Sequence, residues 1–364
     1  MSSKRTIPFK ISHLDSLGQG VSKETDKITF IPKTMTGDAG EAQIISEKKG
    51  VAFAQVVTFS KQSELRIEPI CPHFNHCPSC HFLHIPYTEE VKIKKNSLER
   101  LFHKLPHPEI QIIESPKRAS YRNRIQLHYD LKSKKLGMLD INQNQITPIP
   151  DCIIGIPEIS QELKRLYQTW TSVAPQDVSK GHVEIYWHEN TLKTSWNRPY
   201  AEGGFTQVFE EMNLKMKTRI ESWFNNKSRS KVLDLFAGNG NLTEKLNYSD
   251  RLCVDIYSSP KSEEFSSINL YDKNALFRVK SELKKRKLEP DFLIIDPPRS
   301  GLKDFHLWLK EFRPQFVAYV SCDPHTLVRD LALVTDYHFQ ELMLFDFFPS
   351  TFHFETLIFL ERKS

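Results

Sequence analysis

The chain has 364 residues, 39% hydrophobic and 26% charged, which suits a globular, soluble protein of two or three packed domains. It holds no apolar run near the roughly 18 residues that span a bilayer, and its N-terminus lacks the apolar core of a signal peptide; a cytoplasmic monomer without membrane association is expected. Net charge is only +5, yet residues 91–135 carry twelve Lys and Arg against four Asp and Glu. That local excess suits a polyanion and an ordinary solvated face about equally.

In chain order, residues 6–67 predict short strands punctuated by Gly and Asp turns, such as Gly18-Gln-Gly20, Thr36-Gly-Asp38 and Lys48-Lys-Gly50. Strands at this spacing predict a small β-barrel of OB type. From Ile11 to about Val57 the pattern resembles a TRAM domain, a small RNA-binding barrel.

Cys71, Cys77 and Cys80 follow in a C-x5-C-x2-C run, and Cys152 is the nearby fourth thiol. Four thiolates suit a [4Fe–4S] cluster or a structural zinc. His73, His76, His81 and His84 keep zinc open, and spacing alone slightly favours it. Residues 87–105 predict a basic helix, residues 119–149 alternate as strands, and a helix is expected over Ile159–Thr169. Tyr121-Arg-Asn-Arg124 places Arg122 and Arg124 on one face of a strand, a placement that fits phosphate contact and equally fits a structural role.

From about residue 210 helices and strands alternate in the doubly wound pattern. Val232-Leu-Asp-Leu-Phe-Ala-Gly-Asn-Gly-Asn-Leu-Thr243 is a strand, a glycine turn and a helix start, and Asp255 ends the next strand, where a carboxylate can hold a ribose. The turn reads D-x-F-x-G-x-G around Phe236 and Gly238, the S-adenosylmethionine (SAM) form rather than the dinucleotide one. A short helix within Pro260–Phe265 and a third strand over Ser267–Asp272 are expected, with Asp272 reading the adenine. Phe292–Ile295 leads into Asp296-Pro-Pro298-Arg299, and the prolines fix the direction of the Asp296 carboxylate. Phe316–Val320 runs into Ser321-Cys322-Asp323-Pro324; a turn there holds a thiol at the carboxyl end of a strand, where open α/β sheets bind ligands. A helix over His325–Val334 comes next, then His353 and Glu355 at the start of an apolar terminal strand. A carboxylate there is costly to bury without a task.

These parts compose one reaction. Uracil C5 is a poor nucleophile; a thiolate adding at C6 makes it an enolate that can take a methyl group, and a base must then remove the C5 proton. Cys322 is the candidate nucleophile, Glu355 the candidate base, and Asp296 the candidate partner of the imide edge, with the two reactive groups on opposite sides of a base-sized pocket.

Phe205-Thr-Gln207, Asp234–Asn241, Asp296–Gly301, Ser321–Asp330 and Asp346–Glu355 together resemble the RNA 5-methyluridine methyltransferases over nearly the whole chain. The barrel and the four cysteines narrow the resemblance to the 23S rRNA uracil-C5 branch, with tRNA as the alternative substrate and a non-catalytic RNA-binding protein as the reading outside enzymes. The resemblance implies Cys322 and Glu355 as catalytic residues, and Gln207, Phe236, Asn241, Asp255 and Asp296 around SAM and the uracil. It implies a [4Fe–4S] cluster on Cys71, Cys77, Cys80 and Cys152. The expected organisation is a TRAM-like barrel over 1–67, a central domain with the cysteines over 68–205, and a Rossmann-like SAM methyltransferase domain over 206–364. Phe209, Asp323 and Ser350 depart from the family pattern, where Asn, Asn and Gln are usual, and the 256–272 segment is short.

Overall fold

The computed structural model describes residues 5–140, 144–198, 207–227, 230–256 and 263–364. Phe205 and Thr206 of the first motif therefore lie outside the described residues. The chain divides into two compact units, one of residues 1–97, 117–198 and 348–352, the other of 98–116, 199–347 and 353–364.

In the first unit β1 (Thr6–Leu14), β2 (Gly20–Ser22), β3 (Ile28–Ile31), β4 (Ala39–Lys48) and β5 (Val51–Lys61) close into a barrel in the order β1-β2-β3-β5-β4. Alternation drives it: Phe9 and Ile11 of β1 turn inward onto Ile31, Ala42 and Ala54, while their neighbours face water. The small barrel expected from the strand spacing is thus present, closed by five strands. After α1 (Tyr87–Phe102) and β6 (Ile110–Ile113), which joins the other unit's sheet, come β7 (Arg124–Asp130), β8 (Lys135–Asp140), β9 (Gln145–Thr147), α2 (Pro157–Val173), β10 (Lys180–His188) and β11 (Thr191–Trp196). These strands form an antiparallel sheet ordered β11-β10-β7-β8-β9. Leu163, Leu166 and Trp170 of α2 pack on Ile125, Leu127, Val183 and Ile185 of that sheet. α2 is longer than the sequence pattern predicts, because Pro157 starts it at a position where a missing N–H costs nothing.

The second unit holds α3 (Glu210–Asn225), β12 (Lys231–Leu235), β13 (Asp250–Asp255), β14 (Phe265–Ser267), α4 (Ala275–Arg286), β15 (Phe292–Ile295), α5 (Phe305–Phe312), β16 (Phe316–Ser321), α6 (Pro324–Leu331), β17 (Tyr337–Phe345) and β18 (Glu355–Arg362). Its sheet runs β14-β13-β12-β15-β16-β18-β17-β6. β12, β13, β15 and β16 pair in parallel and are largely buried, with the short, half-exposed β14 parallel at the edge, whereas β18 pairs antiparallel with both neighbours. The order reverses between β12 and β15, the switch point at which such sheets bind ligands. α3 covers one face by stacking Trp223 on Phe359, with ring centroids 4.1 Å apart and planes 3° from parallel.

Three local expectations are corrected. The third strand is Phe265–Ser267, and residues 268–274 are a turn, so Asp272 stands outside the strand. Residues 239–246 make successive turns rather than a helix. α6 ends at Leu331, three residues before Val334. Among the described residues no helix is long and apolar enough to cross a membrane.

Candidate active site

Parallel pairing brings the carboxyl ends of β12, β15 and β16 to one edge of the sheet, and the antiparallel β18 begins at the same edge. Ser321 pairs with Thr356, so continuing the register by one residue sets Cys322 next to Glu355. Cys322 and Glu355 thus stand at the ends of adjacent strands on one edge of the sheet. Cys322 is held there by local chemistry. Asp323 caps α6, its carboxylate accepting from His325 N at 2.9 Å and Thr326 N at 3.4 Å, and Pro324 opens the helix. Asn and Asp cap equally well, which accounts for Asp323 where the family often has Asn.

The electrostatics of this edge are strained. Burial, then the charges of Glu355 and Asp296, push the Cys322 thiol up to about 12, while Arg299 opposes them. Glu355 is 4% exposed and its Oε2 is buried without a hydrogen-bond partner. Burial and the Asp296 charge raise its pKa well above the usual carboxylate range, again against Arg299. Asp296 is raised to about 7, mainly by burial and then by Asp234. The Asp296 charge thus adds to burial in disfavouring ionisation of Glu355. His353 is half-buried two residues before Glu355.

One strand over, Asp234 is buried and accepts from Thr243 Oγ1 at 2.7 Å; Arg251 donates to the same hydroxyl at 3.0 Å and to Glu264 at 2.5 Å. Burial lifts Asp234 to about 7. Phe236 and Gly238 both take left-handed backbone, at φ 58° and 55°, which turns the chain over the strand end. Gly238 N donates to Asp255 Oδ2 at 3.0 Å, so the turn and the acidic end of β13 form one unit. Asn241 exchanges two 3.0 Å amide hydrogen bonds with Asn213 of α3, and Gln207 is half-buried just before that helix. Phe209 is buried at the start of α3, and Asn213, one helical turn later, provides the amide that meets the turn. Asp272 stands on the surface, accepting from Asn269 at 2.9 Å and 3.6 Å from Arg278.

Sequence reasoning passed over Tyr271, whose ring lies 5.4 Å from Phe236 and whose hydroxyl lies 2.7 Å from Ser300 Oγ. It noted Arg299 without giving it a role, although this is the cation both reactive groups feel. Asn213 carries no local signal and needs the tertiary fold to be found.

In the first unit Cys71, Cys77, Cys80 and Cys152 line one cavity with His73 and Asp151, which are hydrogen-bonded at 2.8 Å. Desolvation raises the Cys71, Cys80 and Cys152 thiols. Lys33 donates to the carbonyls of Phe74 and Cys77 beside them, and Arg122 opposes the rise at Cys80 and Cys152. Four thiols around one cavity, three of them raised by desolvation, with two cations beside them, are a donor set that fits an anionic thiolate-held centre. Among the described residues no three His, Cys, Asp or Glu side chains are placed to hold a single metal ion. His84 is buried and stacks on Phe74, held down to about 3 chiefly by desolvation. Arg124 pairs with the buried Glu184 at 3.1 Å and Arg122 donates to Arg124 O at 3.0 Å, so both arginines expected at phosphate are engaged inside this unit.

Residues 253–363 match the model of the tRNA (Uracil-5-)-methyltransferase family. Over 98% of its length the chain is 25% identical to the 23S rRNA (uracil(1939)-C(5))-methyltransferase RlmD of Shewanella woodyi, covering 96% of that protein. It is 27% identical to the enzyme of the same name from Shewanella sediminis over 99% of the chain and 96% of the relative. The corresponding enzyme of Vibrio parahaemolyticus is 25% identical, over 97% of the chain and 95% of the relative. Among solved structures, the Pyrococcus abyssi tRNA (uracil-54, C5)-methyltransferase in complex with S-adenosyl-L-homocysteine superposes with a TM-score of 0.67 at 18% identity, over 97% of this chain and 100% of that one. Over residues 253–363 by the family model, and along nearly the whole chain by these relatives, the chain is similar to RNA uracil-C5 methyltransferases.

Proposed function

We propose that this protein transfers a methyl group from SAM to C5 of a uridine in structured RNA, with 23S rRNA as the preferred substrate, through a covalent Cys322 adduct. The observation that carries the proposal is the juxtaposition of Cys322 and Glu355 with Asp296 and Arg299 at one strand edge. SAM, when bound at the Phe236–Gly238 turn and Asp255, supplies an electrophilic methyl group. Cys322 attacks C6 of the uracil, forming the S–C6 bond and shifting the C5–C6 electron pair toward C5 and the O4 carbonyl. C5 forms its bond to the methyl carbon as the methyl–sulfur bond breaks. Glu355 takes the C5 proton, and the electrons restore the C5–C6 double bond as the S–C6 bond breaks. Burial suits Glu355 to this step, because a desolvated carboxylate binds a proton more strongly. Asp296 meets the imide edge in this reading, and Arg299 offsets the charge that develops on thiolate and carboxylate. Gln207, Asn241 and His353 complete the pocket in this reading, and the base must be unstacked to enter it.

Ribosomal RNA is preferred because the relatives named for it are matched end to end. The tRNA reading is favoured by the solved structure with the same overall fold. Incubation with radiolabelled SAM and total RNA, followed by separation by size, distinguishes them: label in the 23S band supports the proposal, label in tRNA moves it to the alternative, and no label opposes catalysis. The same proposal gives the barrel an RNA-binding TRAM role and places a [4Fe–4S] cluster on Cys71, Cys77, Cys80 and Cys152. Their shared cavity and the adjoining Lys33 and Arg122 support the cluster.

A further inference from the structure

Asp330 is buried and lies on α6, eight residues beyond Cys322. Its carboxylate nevertheless accepts four hydrogen bonds. Oδ2 takes Leu302 N at 2.7 Å and Tyr319 OH at 2.6 Å; Oδ1 takes Arg329 Nε at 2.9 Å and a terminal Arg329 nitrogen at 2.5 Å. That terminal nitrogen also donates to Ser300 O at 2.7 Å. On its other side the same loop is held by Tyr271, whose hydroxyl meets Ser300 Oγ at 2.7 Å and donates to Gly301 O at 3.1 Å. Gly301 fits only because it lacks a side chain: its φ is +66°, and a Cβ there would lie 2.4 Å from Asp330 Oδ2.

The partners are telling. Tyr319 sits on β16 three residues before Cys322, Asp330 on the helix that follows it, and Ser300 to Leu302 on the loop that begins with Asp296 and carries Arg299. One buried carboxylate thus ties the strand and helix flanking the thiol to the loop bearing Arg299, the cation that opposes the rise of both Cys322 and Glu355. We propose that Asp330, with Arg329 and Tyr271, is a positioning clamp that fixes the Asp296–Leu302 loop so that the Arg299 charge faces Cys322. Asp330 does not touch substrate in this account; it acts through Arg299 and the backbone of the loop. The kinetic consequence rests on the proposed methyl transfer, whereas the effect on the thiol does not.

The test is Asp330→Asn, which keeps shape but points an NH2 group at Arg329, where a charged acceptor stood. Two quantities are read on the full chain: kcat and KM for methyl transfer to RNA, and the pH profile of Cys322 alkylation by iodoacetamide, followed on its own peptide by mass spectrometry without RNA. We expect kcat to fall about tenfold to a hundredfold with KM within about twofold, and the alkylation midpoint to rise by about half a unit or more as Arg299 is released. If the variant does not fold, Arg329→Ala and Tyr271→Phe release the same loop from either side and must give the same signature. An unchanged midpoint overturns the clamp. A lowered midpoint, the sign expected if the loop merely opened the thiol to water, overturns it too, as does a loss seen only in KM. If the wild-type protein transfers no methyl group, the methyltransferase proposal fails, and the alkylation profile alone decides the clamp.

Discussion

Asp296 shows at the scale of one residue how function and stability pull apart. Its carboxyl is raised from 3.8 to about 7 by burial and Asp234, so the folded state binds a proton that the unfolded chain releases. Stability contributed by that proton is fully present below pH ~4 and is lost as pH rises through ~7. Asp296→Asn removes the penalty. At pH 8 it should stabilise the protein by about 1–2 kcal/mol, seen as a raised thermal midpoint, while methylation drops by at least about a hundredfold; a destabilised variant at pH 8 contradicts this account of the site. Cys322 obeys the same physics: with its thiol at about 12, methylation should become faster from pH 6 to pH 9. At this scale much was legible. A cysteine before a proline turn, an aspartate before two prolines and a glutamate opening an apolar strand each announce chemistry in the sequence. Arg299 and Asp330 were not legible in those roles, because a charge acting through space and a buried acceptor of four hydrogen bonds exist only once distant residues meet.

Elements explain why the basic segment misleads. Of the twelve cations between residues 91 and 135, Lys94 and Arg118 point inward and bind Glu90, which is fully buried, at 2.7 and 2.8 Å. Glu90 also accepts from Ser350 N at 2.6 Å, and Ser350 O accepts from His81 N and Phe82 N at 2.7 and 3.0 Å. The segment 348–352 is therefore bound through its backbone, which is why Ser350 can stand where the family usually has Gln. Glu90→Ala would strand Lys94, 1% exposed on its side chain, without its carboxylate. It should cost about 3–5 kcal/mol, measurable by urea denaturation; a loss below about 1 kcal/mol would mean that the pair is a solvated surface contact. Charge counting cannot see this, since burial is decided by the neighbours a helix acquires. The strands β15 and β16, by contrast, were readable from their apolar runs, while the shortened β14 was misplaced because Ile268 and Leu270, though buried, lie beyond it in a turn region.

For the whole molecule, the barrel, the antiparallel sheet and the doubly wound sheet follow the changing period of the sequence, whereas their grouping into two units does not follow chain order. The four cysteines are the clearest long-range prediction: Cys152 lies 72 residues beyond Cys80, yet both line one cavity. If they hold a [4Fe–4S] cluster, anaerobically purified protein is brown, with broad visible absorbance that Cys80→Ser abolishes; colourless protein with one zinc per chain contradicts the cluster. The central claim, that Cys322 attacks the base and Glu355 releases it, has a more direct test. Glu355→Gln protein is incubated with SAM and its RNA, denatured, and weighed by mass spectrometry. The account predicts an accumulated species in which the methylated RNA is joined to the peptide containing Cys322, absent when Cys322 is also changed to Ala. Free methylated RNA released at the wild-type rate, with no covalent species, would contradict it.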